Sequence, residues 1–157
     1  MRRFDAAKAA ATLCGAGYLT KMPGTVGSAV ACVLYVLFPI NEWVIFLTAA
    51  FGVGAASVYA KETGKSDPPE VVIDEVVGMW LSLWALPPSF LIPAFFLFRI
   101  VDILKPVPVC TAEKLSSGWG IMADDIVGGI LVNLILQSIA WIFLDQGWLR
   151  TLFLSFL

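Results

Sequence analysis

Asp74 and Glu75 stand side by side within Val71-Val72-Ile73-Asp74-Glu75-Val76-Val77-Gly78-Met79-Trp80, an otherwise apolar run. An unpaired charge in such surroundings is too costly to be kept for packing alone. The anomaly recurs at Arg99, Asp102 and Lys105, near the end of the run 98–106, and at Asp124 and Asp125 within 121–129. Together these groups supply five acids, Asp74, Glu75, Asp102, Asp124 and Asp125, against two bases, Arg99 and Lys105. Desolvated carboxylates in excess repel one another, and a cation is the usual remedy. Oxygen-only ligation favours Mg2+ or Ca2+, and Mg2+ completes its shell with water and substrate phosphate. Arginine and lysine beside such a metal describe a phosphoryl-transfer site. Two other readings use the same residues: the charges pair among themselves, the remaining acids taking Lys61 or Lys114, or they line an ion path.

What the chain lacks narrows the chemistry further. It contains no histidine, which excludes Ser-His-Asp and Cys-His nucleophilic schemes and every histidine-ligated metal. Catalysis must then rest on carboxylates, lysine, arginine, hydroxyls or a hard, oxygen-ligated ion. Cys14, Cys32 and Cys110 are odd in number and widely spaced, without a CxxC pair or a zinc spacing; they read as small buried hydrophobes. A further candidate lies at Lys21-Met22-Pro23-Gly24-Thr25-Val26-Gly27-Ser28, a loop running into a helix. Its backbone N–H groups and the hydroxyls of Thr25 and Ser28 could meet an anion at the helix N-terminus. It lacks the GK[ST] ending of a nucleotide P-loop, and a simple capped helix start is the alternative.

The elements that must position these residues are apolar helices. Of the 157 residues, 59% are hydrophobic and only 14% charged, where a soluble domain carries about a quarter charged. The chain reads as a single domain over 1–157, an all-α integral membrane bundle of four to five hydrophobic helices, some short or re-entrant. A net charge of −2 offers no basic field, so nucleic acid is not an expected partner. Apolar segments run from about Val26 to Ile40, Trp43 to Ala60, Val71 to Leu86, Phe90 to Leu104 and Ile126 to Leu144. Short interfacial helices are expected at both termini. Arg2, Arg3, Asp5 and Lys8 break up the first stretch too often for a cleavable signal peptide, and Trp148 to Leu157 is too short to span.

Segments three and four reach roughly 24 Å as helices, short of a hydrocarbon core of about 30 Å. They span a thinned bilayer or form a hairpin that turns inside it. Either way Pro87-Pro88 returns the chain to the side it left, so Asp74, Glu75, Arg99, Asp102 and Lys105 share one face. Segment five starts on that face with Asp124 and Asp125. Nine of the ten basic residues fall there, Arg150 being the exception, which makes the face cytoplasmic. Glycines four residues after Asp74, Asp124 and Asp125 (Gly78, Gly128, Gly129) let neighbouring helices approach closely and bring carboxylates together.

Four blocks resemble the phosphatidylglycerophosphatase A family of bacterial membrane phosphatases, in the family's order. They are 23–28 (PGTVGS), Asp67-Pro68-Pro69 leading to Val72-Ile73-Asp74-Glu75, 98–108 (FRIVDILKPVP) and Gly120-Ile121-Met122-Ala123-Asp124-Asp125. Val101 replaces a usual aromatic, and Gly128-Gly129 a commoner Ala-Gly. The resemblance implies Mg2+-dependent hydrolysis of phosphatidylglycerol phosphate to phosphatidylglycerol and phosphate, at the cytoplasmic face of the bacterial inner membrane. Cys110 lacks the arginine of a Cys-x5-Arg phosphatase, Ser116 standing there, and no DxD motif occurs. A metal-activated water with a carboxylate base is therefore favoured. The expected metal residues are Asp74, Glu75, Asp124 and Asp125. Asp102 is expected as ligand or base, and Arg99 and Lys105 to hold the phosphate, with Lys21, Thr25 and Ser28 assisting. Asp67 is as much a turn cap as a ligand. The rivals are a cation-coupled transporter or channel and a metal-dependent transferase of cytidine-activated lipids, whose DG-x2-AR signature is absent.

Overall fold

Proline, asparagine and glycine set most of the helix boundaries. The computed structural model describes residues 2–112, 115 and 118–144 of the chain. Among them are seven α-helices and no strand: α1 (Arg2–Ala11), α2 (Pro23–Leu37), α3 (Glu42–Thr63), α4 (Ile73–Leu83), α5 (Leu91–Leu104), α6 (Val109–Ala112) and α7 (Gly118–Leu144). Pro23 opens α2, where its missing N–H costs nothing. The Asn41 side chain accepts the Val44 N–H at 3.0 Å to cap α3, and Gly64 ends that helix at φ 70°. Pro87 and Pro88 separate α4 from α5. The readings of Glu113, Lys114, Ser116, Arg150 and the 148–157 tail lie outside the described residues.

The all-α expectation holds, and two helices, α3 and α7, are long and apolar enough to cross a membrane. At 1.5 Å per residue they extend about 33 Å and about 40 Å. Both leave large apolar side chains exposed, Phe46, Leu47 and Phe51 on α3 and Leu134, Ile139 and Trp141 on α7. α4 and α5 are much shorter, about 16 Å and about 21 Å.

α4 occupies the centre, packed against α7, α2, α3 and α5. Nine of its eleven residues are buried. Its approach to α7 depends on two glycines. A Cβ at Gly129 would strike the Gly78 backbone, and one at Gly78 would strike the Phe98 ring and the Asp125 carbonyl. Gly128 takes no part in this crossing, since a Cβ there would meet Val101 at an ordinary 3.5 Å. Away from its charged first turn, polar side chains of α4 find partners, as an interior without water requires. Trp80 Nε1 donates to the Ala31 carbonyl at 3.0 Å, and Ser82 Oγ to the Gly78 carbonyl at 2.8 Å. At the far end, Asn133 Nδ2 on α7 donates to the Trp84 carbonyl at 2.7 Å and the Ser82 carbonyl at 3.3 Å.

The N-terminal segment fixes the other end of α4. The Val72 N–H donates to the Ala11 carbonyl at 2.8 Å, and Gly17 lies against the Glu70 carbonyl, where no side chain fits. Phe4 stacks on Tyr59 with centroids 6.0 Å apart, which holds α1 on α3. The result is a rigid entry into Ile73-Asp74-Glu75.

Candidate functional site

The charged ends of α4, α5 and α7 meet in one cleft of about 300 Å³, which the start of α2 closes on its remaining side. Asp74 and Glu75 enter it from the first turn of α4. Free backbone N–H groups and the helix dipole favour carboxylates there, and Asp74 Oδ1 accepts the Glu75 N–H at 3.1 Å. Asp125 comes from α7 across the Gly78–Gly129 crossing. One carboxylate oxygen each of Asp74, Glu75 and Asp125 lie within 4.8 Å of one another. This is the one such cluster among the described residues. Asp74 and Asp125 are only 8% and 4% exposed, so the three acids face one another with little water to screen them. A hard cation among them would supply the missing counter-charge, and oxygen donors on separate helices suit one.

Asp124 does not join that group. Adjacent helical residues point about 100° apart, and Asp124 turns instead to Lys105, whose Nζ donates to its Oδ2 at 2.9 Å. Lys105 ends α5 in a left-handed conformation, φ 42°, which costs a residue with a Cβ about 1 kcal/mol or more. Its side chain lines the cleft.

Arg99 Nη1 stands 2.7 Å from Asp102 Oδ2 on the same helix, at ion-pair distance but without hydrogen-bond alignment. Arg99 Nε and Glu75 Oε2 are buried and find no hydrogen-bond partner among the described residues. Asp102 is near enough to Glu75 and Asp125 to interact with both electrostatically. The cleft thus joins an acidic floor to a guanidinium and an ammonium, an arrangement able to hold a cation and a phosphate side by side.

The loop before α2 contributes differently from the expectation. Lys21 is exposed and does not line the cleft; Thr25 is turned into an apolar groove with Val26, Val33 and Leu34. Ser28 is buried and donates to the Gly24 carbonyl of its own helix at 2.9 Å. The residue that reaches the cleft is Gly24, pressed against Glu75 and Arg99 so closely that a Cβ would meet Glu75 Oε1, Nη1 and Nη2. Asp67 also lines the cleft, from the turn ahead of Pro68. Both belong to blocks visible in the sequence, but a glycine among hydroxyls and an acid before two prolines each read first as local structure. Outside the cleft, Lys65 donates to Glu70 at 2.7 Å, and that hydrogen bond holds the Glu70 carboxyl below its usual range.

With this geometry in place, the comparisons with known proteins are specific. Residues 9–140 match the model of the family described as phosphatidylglycerophosphatase A. The chain is 36% identical to a phosphatidylglycerophosphatase A of Escherichia coli, over 74% of this chain and 73% of the relative. It is 34% identical to the protein of the same name in Haemophilus influenzae, over 81% and 84%. It is also 35% identical, over 82% and 89%, to a Bacteroides thetaiotaomicron protein with the provisional name phosphatidylinositol-3-phosphatase. No solved structure matches.

Proposed function

The chain belongs to the phosphatidylglycerophosphatase A family, and we propose on that premise that it hydrolyses phosphatidylglycerol phosphate to phosphatidylglycerol and inorganic phosphate. The observation that carries the chemistry is the buried Asp74–Glu75–Asp125 triad beside Arg99 and Lys105. The triad fits Mg2+, which when bound would neutralise charge on the phosphoryl oxygens and lower the pKa of a coordinated water. Asp74, Glu75 and Asp125 would hold the ion, with Asp124 outside the inner group and positioning Lys105. Arg99 offers its fork, including the unpartnered Nε, to the phosphate oxygens. Lys105 neutralises charge on the leaving side of the same group. Asp102, paired to Arg99 and close to the triad, would either join the ligands or take a proton from the attacking water.

Two relatives named for phosphatidylglycerol phosphate and one named for an inositol lipid share a chemistry, a phosphate monoester on the polyol headgroup of a phospholipid. The choice between polyols follows the two that share the family's name. We read α3 and α7 as spanning the bacterial cytoplasmic membrane and α4–α5 as a hairpin that enters and leaves from the cytoplasmic side. Trp43, Trp84, Trp119 and Trp141 are all exposed, as tryptophans that anchor a protein at a membrane interface are. A transporter would spread its charges through the depth of the bundle, whereas these collect at one end of α4, α5 and α7.

The test is phosphate release by the purified protein in lipid–detergent micelles. Phosphatidylglycerol phosphate, phosphatidylinositol 3-phosphate and phosphatidic acid are compared with and without a chelator. Release from the first, abolished by chelation and restored by Mg2+, is the expected result. Release from the inositol lipid alone moves the substrate, and full activity in chelator ends the metal mechanism.

A further inference from the structure

The cleft does not end at the carboxylates. Asp67, Ile121 and Asp124 also line a second, neighbouring cavity of about 660 Å³. The end of α3, the turn after it and the start of α7 enclose this space. Beside it α7 lies close on α3 at Gly118, whose N–H donates to Ser57 Oγ at 3.1 Å and where a Cβ would strike the Val53 carbonyl. The apolar groove along Phe46, Ala49 and Ile130 shares no lining residue with this cavity. The second cavity is therefore an extension of the charged cleft rather than of the lipid-facing flank.

Its charges are unevenly used. Lys65 is paired with Glu70 at 2.7 Å, and Asp124 with Lys105 at 2.9 Å. Lys61, in the last turn of α3, also lines the cavity, and no ion pair engages it among the described residues. An ammonium on a flexible stem, at the polar end of a long apolar helix and next to a phosphate cleft, is suited to a second anion. The substrate proposed above carries two anions: the monoester that is cleaved, and the phosphodiester that joins the headgroup to diacylglycerol. A glycerol unit separates them.

We propose that the cavity beyond Asp124 is the phosphodiester subsite and that Lys61 is its principal cation. Lys61 thereby selects lipids that carry both a phosphodiester and a phosphate monoester over lipids with the monoester alone. The assignment rests on the functional reading above, and its test keeps the two apart. Wild type, Lys61→Gln and Lys61→Arg are compared on phosphatidylglycerol phosphate and on an analogue with a neutral ether in place of the phosphodiester, the acyl chains and phosphoglycerol end being unchanged. Wild type should prefer the natural linkage by about tenfold in kcat/KM, the scale of one charge-assisted contact at a partly wet site. Lys61→Gln should lose most of that preference through KM with kcat retained, and Lys61→Arg should keep it. Equal hydrolysis of both compounds by wild type, or an undiminished preference in Lys61→Gln, overturns the subsite and leaves the phosphatase reading standing. Failure of wild type to release phosphate from either compound overturns both.

Discussion

α3 and α4 are consecutive helices that touch, yet they meet opposite demands. α3 has 22 residues, no charge between Glu42 and Lys61, and a flank of exposed Phe46, Leu47 and Phe51. α4 has 11 residues, two carboxylates in its first turn, and almost no exposed surface. A helix that faces hydrocarbon needs length and uniform apolarity, because nothing around it can answer a polar atom. A helix sheathed by protein needs neither. Its neighbours satisfy its polar groups, as Ala31 and Asn133 do, and its charges can be set against those of other helices. The two helices long and apolar enough to cross a membrane surround the bundle, and the short enclosed one carries two of the three clustered acids.

Substitutions at the enclosed end should produce the largest effects. Asp74→Asn and Asp125→Asn keep shape and remove charge, so each should lower phosphate release at least about a hundredfold while thermal stability is maintained. If both well-folded variants kept most of their turnover, the triad would be structural and the contrast would lose its functional half. Next comes packing. Gly129→Ala places a methyl on the Gly78 backbone, and overpacking of this kind costs about 1–3 kcal/mol, read as a lower midpoint in thermal unfolding. An unchanged midpoint would show that α4 is not tightly held.

Gly24→Ala sharpens the line between stability and activity, because the atoms in its way are the ends of Glu75 and Arg99. Turnover should fall about tenfold, on the scale of a misplaced catalytic group, with a stability change within about 0.5 kcal/mol. The smallest effect belongs to α3. Gly54 has nothing within 4 Å of its Cβ position, so Gly54→Ala should be neutral or stabilising by up to about 1 kcal/mol. A loss matching that of Gly129→Ala would erase the difference between the two helices.

Much of this arrangement is legible in the sequence, for reasons that also mark where legibility stops. Helix period and proline placement are local properties, so the apolar segments and the Pro87-Pro88 turn could be read directly. Buried charges are so costly that their convergence at one end followed from the turn. The limits of α4 and α7 were less visible. The apolar run suggested Val71 to Leu86, but α4 stops at Leu83, where Asn133, far away in sequence, takes its last carbonyls. α7 begins at Gly118, well before Ile126, because the acids that interrupt the hydropathy sit inside a continuous helix. The split between Asp124 and Asp125, and the turning of Thr25 and Ser28 away from the cleft, depend on the rotation of each helix about its axis. Only packing partners set that rotation.

The Asn133 contact also bears on how the protein comes to exist. The carbonyls it binds precede it by 51 and 49 residues, so α4 leaves the ribosome well before its clasp. Until α7 arrives, the Ser82 and Trp84 carbonyls lack the Asn133 amide, and α4 has neither Gly129 to lie on nor Asp125 to complete the triad. α3 and α7 can settle in a bilayer on their own hydrophobicity, as stable spans do. α4 cannot. Its contacts with α7 form only once that helix is in place, so that completing the last helix and assembling the acidic triad become one event.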